Sequence, residues 1–160
     1  MTLYLIRHAD AGSRDPYSSS DHLRGLSEDG MRQAARIADR LGDSGVSRII
    51  SSPYPRCVQT VAPLAERLGL SVEFHRALAE GAFGPDAAEL LWELADVEAV
   101  LCSHGDVIPD VIDLLVDTGT VIDGRCGSAK GSIWTITSDG ESLLTASYAK
   151  TPRKPDSALR

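Results

Sequence analysis

LYLIRHADAG, residues 3–12, is the stretch that decides the fold. A short apolar run bounded by turn residues is typical of a buried strand, and this run stops where polar chemistry begins. Arg7 and His8 therefore lie at the end of the first predicted strand. The pair either marks a strand end only or belongs to a functional site, and the dipeptide alone leaves both interpretations open.

Length and composition are typical of a single globular domain. The 160 residues suffice to bury a core, and the apolar and charged fractions are 42% and 24%. No apolar run approaches the roughly 18 residues of a membrane span, and the start of the chain shows no export signal. We therefore expect a cytoplasmic protein outside the membrane, with one domain over residues 1–149 and a frayed tail over 150–160.

Charge and cysteine content argue against several classes of protein. The net charge of −7 disfavours a general nucleic-acid-binding role, which relies on clustered cations. Cys57, Cys102 and Cys126 show no CxxC spacing, which indicates reduced thiols rather than a disulfide framework or a zinc site. No pattern in the sequence predicts an oligomeric state.

Apolar strands alternate with helical patterns along most of the chain. After the strand that ends at Arg7-His8, strands are predicted at 48–51, at 72–75 and within 97–103. Helices are expected to follow a capping Ser27, the turn 52–55, a capping Asp86 and the turn 104–106. Pro63 inside the second helix predicts a kink or an irregular turn there.

The remaining segments are predicted as loops and a hairpin. Residues 10–26 and 117–131 form long loops, and 124–131 is expected to be flexible. Residues 132–137 and 142–147 flank the turn sequence SDGE, which indicates a β-hairpin. The predicted fold is a three-layer α/β/α sandwich, with a mostly parallel central sheet and a C-terminal antiparallel hairpin.

Polar side chains follow each of the four predicted parallel strands. In an open α/β sheet, ligands bind beyond the carboxyl ends of the strands, where the connecting loops meet. We therefore expect one site at this edge, built from Arg7, His8, Arg56, Glu80 and His104.

Two chemistries compete for such a set of residues. Histidines with carboxylates are also typical of a metal site. Arg7 and Arg56 would repel a cation, however, whereas two guanidiniums suit a dianionic phosphate. Helix N-termini after the strands would add further stabilisation of an anion. We expect a phosphate site with no metal and no cofactor.

A neutral histidine beside a bound phosphate can act as a nucleophile and divide one difficult step into two. Arginines and a second, protonated histidine would stabilise the charge that develops on the phosphoryl oxygens. The residues alone leave His8 and His104 as alternatives for the nucleophile. Glu80 would donate a proton to the leaving oxygen if an apolar environment raised its pKa, and otherwise it is a solvated loop carboxylate.

Four ordered motifs resemble the histidine phosphatase superfamily, also called phosphoglycerate mutase-like, and the resemblance covers most of the chain. The compact bacterial branch with SixA-type phosphohistidine phosphatases is the most similar. The motifs are LIRHAD (5–10), LSEDG with QA (26–30 and 33–34), SSPYPR with QT (51–56 and 59–60) and SHG (103–105).

The resemblance implies that His8 becomes phosphorylated, that Arg7, Arg56 and His104 hold the phosphoryl group, and that no metal is needed. It places Glu80 where many members have an acidic proton donor, a residue that some SixA-type members lack. Ala9 replaces the glycine that commonly follows the histidine, and the chain lacks the helical insertions that enclose the substrate in larger members.

The predicted function is a metal-independent phosphatase that hydrolyses phosphomonoesters or protein-borne phosphate. Its partner would be a phosphorylated small molecule or a phosphoprotein. Two alternatives are phosphoryl transfer of the phosphoglycerate mutase type, which needs an enclosed pocket that keeps water out, and a non-catalytic phosphate-binding module. Selectivity is expected from the loop 10–26, which includes Arg14 and His22, and from residues 81–85 and 117–130.

Overall fold

The computed structural model describes residues 1–15 and 17–153, so residues 154–160 of the predicted tail lie outside the described residues. Two short 3₁₀ turns, Asp21–Leu23 and Arg76–Leu78, lie in the connections. The helices and strands in these ranges are β1 (Thr2–Arg7), α1 (Glu28–Leu41), β2 (Arg48–Ser51), α2 (Pro55–Leu68), β3 (Val72–Phe74), α3 (Gly84–Glu93), β4 (Ala99–Ser103), α4 (Val107–Asp117), β5 (Val121–Asp123), β6 (Ile133–Ser138) and β7 (Leu143–Ala149).

The strands form one sheet in the order β3-β2-β4-β1-β6-β7-β5. Neighbours β3, β2, β4 and β1 are parallel, β6 is antiparallel to both β1 and β7, and β5 is parallel to β7. Within the described residues, β6 is therefore the one strand that runs against the others. The predicted fold is confirmed, including the C-terminal antiparallel hairpin formed by β6 and β7.

Two apolar clusters cover the two faces of the sheet. Side chains alternate between the faces of a strand, so the adjacent residues Leu5 and Ile6 of β1 belong to different clusters. Leu5 packs with residues of α3 and α4, and Ile6 packs with residues of α1 and α2. The three-layer arrangement follows from this alternation, and it leaves the strand ends free to carry polar groups.

Local sequence signals explain where α1 and α2 begin and end. The Ser27 hydroxyl accepts a hydrogen bond from the amide of Gly30 and caps α1, as predicted. Gly69 ends α2 with φ +66°, a left-handed conformation that glycine adopts without steric cost. The helix continues through Pro63, so no irregular turn forms there, and the alternative of a kink stays a prediction. Proline has a helical φ, and packing of Val61 and Leu64 into the core holds the helix across the missing hydrogen bond.

Two other local predictions need correction. Asp86 lies in the first turn of α3 rather than at its cap position, which Phe83 occupies. The predicted loop 117–131 contains the edge strand β5, whose Val121 pairs with Thr145 of β7. This three-residue strand depends on its neighbour in the sheet, and no local pattern marks it.

No helix in the part of the chain that the structure describes is long and apolar enough to cross a membrane.

Candidate active site

The two central strands bring the two predicted histidines together. Arg7 at the end of β1 is in register with Ser103 at the end of parallel β4, so the residue after each is a histidine at the same edge. The amide of His8 donates to the Ser103 carbonyl at 3.0 Å. The imidazole rings of His8 and His104 lie 5.3 Å apart between centroids, at an angle of 62°. Sheet register therefore places both rings in one site.

His8 is held as a neutral ring with one free nitrogen. Its Nδ1 lies 2.8 Å from the carbonyl oxygen of Ala9, and because a carbonyl only accepts, Nδ1 carries the hydrogen. A neutral ring then has its lone pair on Nε2. Burial, together with the charges of Arg56, Arg7 and Lys130, lowers the pKa of His8 to about 4, although the bond to Ala9 acts in the opposite direction. At neutral pH His8 therefore offers an unprotonated Nε2.

Two arginines face the same place. Arg56 is 1% exposed; its Nη1 donates to the Asp21 carbonyl at 3.0 Å and its Nη2 donates to Glu80 Oε2 at 3.1 Å. Arg7 donates from Nη1 to the Ser128 carbonyl at 2.7 Å. These contacts hold both outer nitrogens of Arg56 and one outer nitrogen of Arg7. Their Nε atoms are buried and have no hydrogen-bond partner.

His104 is oriented by Ser52. The Ser52 hydroxyl lies 2.8 Å from His104 Nε2 and also accepts from the Tyr54 amide at 3.2 Å. Donation of the hydroxyl hydrogen to Nε2 leaves the proton of a neutral His104 ring on Nδ1. The thiol of Cys57 lies 3.4 Å from the same Nε2. Nδ1 is buried without a partner.

Unpartnered buried polar atoms concentrate at this site. Among the described residues, the buried side-chain nitrogen and oxygen atoms without a partner are Arg7 Nε, Arg56 Nε, His104 Nδ1 and Thr151 Oγ1. Buried polar groups are nearly always hydrogen-bonded, so each exception calls for an explanation. Three of these four are N–H donors of predicted phosphate-binding residues. They suit an acceptor-rich anion.

Arg7, which carries one of these donors, and His8 both line a cleft of about 270 Å³ with mixed charge. It is lined by Arg7, His8, Gly12, Arg14, Arg24, Glu80, Gly105, Asp106 and Lys130. A larger groove of about 470 Å³, lined in part by His75 and Phe83, contains none of the unpartnered atoms, so size does not identify the site. In the described ranges, no three His, Cys, Asp or Glu side chains are grouped as ligands of one metal ion.

The second and third sequence motifs support the segment that follows His8. Thr60 accepts from the amide of Ala9 at 2.9 Å, and Gln33 accepts from the amide of Asp10 at 2.8 Å. A Cβ at Gly30 would lie 1.9 Å from the Asp10 carbonyl oxygen, so the close packing of α1 on this segment requires glycine. These residues hold the backbone that follows His8 and do not line the cleft.

The glycine after His104 permits a close approach of Arg7. A Cβ at Gly105 would lie 2.6 Å from Arg7 Cζ. The SHG motif therefore combines a ring that faces the site with a gap that admits the guanidinium.

Glu80 reaches the predicted edge, but its surroundings are cationic. Besides its bond to Arg56, it forms an ion pair with Arg14 from the loop 10–26. Its predicted role as a proton donor requires an apolar environment, and that environment is not observed. That role stays a prediction.

Sequence reasoning did not identify the contacts of Ser52 and Cys57 with His104, nor the position of Lys130 beside His8. Ser52 lies within the SSPYPR motif, and that motif is the feature of the sequence that could have indicated its contact with His104. Lys130 lies in a segment expected to be flexible, and its placement depends on the antiparallel direction of β6. That direction brings the residues before β6, rather than those after it, to the edge with the strand ends.

Comparison with known proteins agrees with this geometry. Residues 3–96, more than half of the chain, match the histidine phosphatase superfamily (branch 1). The chain therefore belongs to this superfamily, which confirms the predicted family.

Relatives and similar structures point the same way. The chain is 33% identical over 157 residues to the 8-oxo-(d)GTP phosphatase of Mycolicibacterium smegmatis, a match that covers 94% of this chain and 48% of that protein. It thus spans about half the length of this curated relative. The protein histidine phosphatase SixA complexed with tungstate shares the fold (TM-score 0.69, 22% identity, 93% of this chain and 94% of that chain). So does the mycobacterial glucosyl-3-phosphoglycerate phosphatase (TM-score 0.68, 18% identity, 96% and 99%).

Proposed function

We propose that this protein is a metal-independent phosphatase that works through a phosphohistidine at His8. The observation that carries the proposal is the convergence of three unpartnered buried N–H donors with a neutral imidazole. Donors from Arg7, Arg56 and His104 meet the oxygens of a phosphoryl group, while Nε2 of His8 meets its phosphorus.

In the first step, the lone pair of His8 Nε2 attacks phosphorus and the bond from phosphorus to the leaving oxygen breaks. The leaving group takes that electron pair, and the ring gains positive charge. The Ala9 carbonyl, which accepts from Nδ1, stabilises this charge. Arg7 and Arg56 stabilise the charge spread over the phosphoryl oxygens, as expected for loose phosphoryl-transfer transition states.

In the second step, water attacks the phosphohistidine and His8 departs as a neutral ring. The products are inorganic phosphate and the starting enzyme. Dividing hydrolysis into two transfers lets one set of donors serve both steps. The reaction needs no metal, because the arginines supply the positive charge.

The substrate is a phosphorylated small molecule or a phosphoprotein. The relatives and similar structures carry the names 8-oxo-(d)GTP phosphatase, protein histidine phosphatase and glucosyl-3-phosphoglycerate phosphatase. The phosphoryl group is common to the substrates in these names, and it is the part for which the buried donors are placed.

Rapid quenching in alkaline detergent, after mixing with radiolabelled p-nitrophenyl phosphate, tests the proposal. We expect an acid-labile, base-stable phosphoenzyme in the native protein, and its loss in His8→Asn with a fall in kcat of at least about 10³-fold. His75→Asn, an exposed histidine in a different groove, is the matched control and keeps its activity. An active His8→Asn together with an inactive His104→Ala would reverse the assignment of the nucleophile.

A further inference from the structure

Lys130 is fixed next to the nucleophile by the backbone. The following residue, Gly131, donates its amide hydrogen to the carbonyls of Arg7 and His8, each at 3.1 Å. The Lys130 side chain lines the same cleft as His8, and its charge contributes to the lowered pKa of that ring. An ammonium group therefore stands beside the site of phosphoryl transfer.

The segment that carries Lys130 is well anchored. The Gly127 carbonyl accepts from Trp134 Nε1 at 3.0 Å, and the Ala129 amide donates to the Tyr148 hydroxyl at 3.1 Å. The Ser128 carbonyl accepts from Arg7. The position of Lys130 thus follows from its backbone and requires no contact of its own side chain.

Lys130 is also the most loosely paired of the cations that line the cleft. Its nearest acceptors, Asp10 Oδ1 and the Gly12 carbonyl, both lie at 3.5 Å, the outer limit of a hydrogen bond. Arg24 by contrast donates to the Ala11 carbonyl at 2.6 Å, and Arg14 is paired with Glu80. The ammonium of Lys130 has bonding capacity left for a ligand.

We propose that Lys130 forms a second phosphate subsite, and that the preferred substrates carry a second phosphate bonded to the one that is transferred, as in a nucleoside diphosphate. This inference rests on the proposed function. Of the four cations that line the cleft, Arg14 and Arg24 form ion pairs with Glu80 and Asp21. Lys130 meets Asp10 only at 3.5 Å, so it is the lining ammonium that is placed to bind a second phosphate.

The leaving group supports the same substrate class. An alkoxide needs a proton donor, and Glu80 lies between Arg14 and Arg56 instead of in an apolar pocket. When the terminal phosphoryl group of a diphosphate is transferred to His8 Nε2, the bridging P–O bond breaks. The departing phosphate takes the electron pair. The second pKa of a phosphate is about 6, so it leaves without a donor. Water then hydrolyses the phosphohistidine.

Matched substrates test the subsite. Steady-state kcat/KM is measured for ADP, inorganic pyrophosphate and p-nitrophenyl phosphate, all of which have good leaving groups but only two of which carry the second phosphate. Lys130→Gln is expected to lower kcat/KM for both diphosphates and to affect p-nitrophenyl phosphate much less. The factor by which kcat/KM falls should be about ten times larger for the diphosphates. An equal fall for all three substrates overturns the proposal.

Lys150→Gln is the control, because Lys150 is exposed and lines a different groove. It should leave all three values unchanged. Calorimetric titration separates the subsite from the chemistry: the native protein should bind pyrophosphate on the order of tenfold more tightly than inorganic phosphate, and Lys130→Gln should remove that preference. If the native protein prefers pyrophosphate in binding but hydrolyses none of the substrates, only the proposed function is contradicted. If it binds pyrophosphate no more tightly than phosphate, the subsite is contradicted.

Discussion

The imidazole of His8 is kept neutral by its position rather than by a base. Burial is the main cause of its lowered pKa, and Arg56 and Arg7 add to it. In the proposed mechanism a cationic pocket thus holds both the phosphate and an uncharged nucleophile, since the same guanidiniums that attract the anion disfavour a proton on the ring.

Titration of His8 by NMR, following its ring ¹H and ¹⁵N shifts, should give a pKa of about 4 in place of about 6.5. The unfolded chain takes up this proton near pH 6.5 and the folded protein only near pH 4. Protonation therefore favours the unfolded state, and the fold loses stability as pH falls through this window. Lys130→Gln should raise the pKa. A value near 6.5 in the native protein would contradict the lowering of the pKa by burial and by the neighbouring cations.

Ser52 is expected to act on catalysis through His104. Removal of its hydroxyl in Ser52→Ala leaves Nε2 without its bond, and the ring is then free to carry its proton on Nε2. We expect kcat for p-nitrophenyl phosphate to fall by about tenfold or more with KM nearly unchanged, and Ser52→Thr to restore it.

Ser51→Ala provides the matched control, because Ser51 is also buried but its hydroxyl donates to the Ser52 carbonyl. If both alanine variants lose kcat equally, the effect of Ser52 is structural.

At the scale of elements, α1 acts as a support for the segment after His8. Alanine is a better helix former than glycine, yet Gly30→Ala would place a Cβ 1.9 Å from the Asp10 carbonyl oxygen. We expect a net loss of about 1–3 kcal/mol in the free energy of unfolding by urea, together with reduced kcat. Ala35→Ser on the exposed face of α1 should change stability by less than about 0.5 kcal/mol. A more stable Gly30→Ala variant would show that the segment after His8 can shift to accommodate the added methyl group.

Elements with a strong local signal were predictable. The bounds of β2 agree with the apolar run 48–51, and Ser27 and Gly69 mark helix ends through capping chemistry that depends on few residues. The strand β5 was missed because three edge residues are held only by pairing with β7. The irregular turn that Pro63 predicts does not form, because tertiary packing outweighs one lost hydrogen bond.

Site prediction shows the same division. The order of strands and the rule for parallel sheets bring Arg7, His8, Arg56 and His104 to one edge, because each follows or begins an element with a clear pattern. The surroundings of Glu80 and the position of Lys130 depend on how distant loops pack. Spacing in the sequence carries no record of those contacts.

At the scale of the whole molecule, the sheet separates the core into two layers. Ile37 of α1 belongs to one apolar cluster and Ile108 of α4 belongs to the other. Ile37→Val and Ile108→Val should each reduce the free energy of unfolding by about 0.5–1.5 kcal/mol. The double variant should show the sum within about 0.5 kcal/mol in urea unfolding, because the two side chains share no neighbours. A clearly larger loss would indicate coupling through the sheet.

The hydrogen bonds of the segment 127–131 have a consequence for how this protein can change. Its backbone atoms hold it against Arg7, His8 and the side chains of Trp134 and Tyr148. Side chains at positions 128–130 can therefore be exchanged without loss of the anchoring, whereas an insertion would shift the carbonyl that binds Arg7. Point substitutions at these three positions offer a route to new substrate preferences while the reaction stays the same. A library of variants restricted to these positions would explore such preferences with little risk to folding.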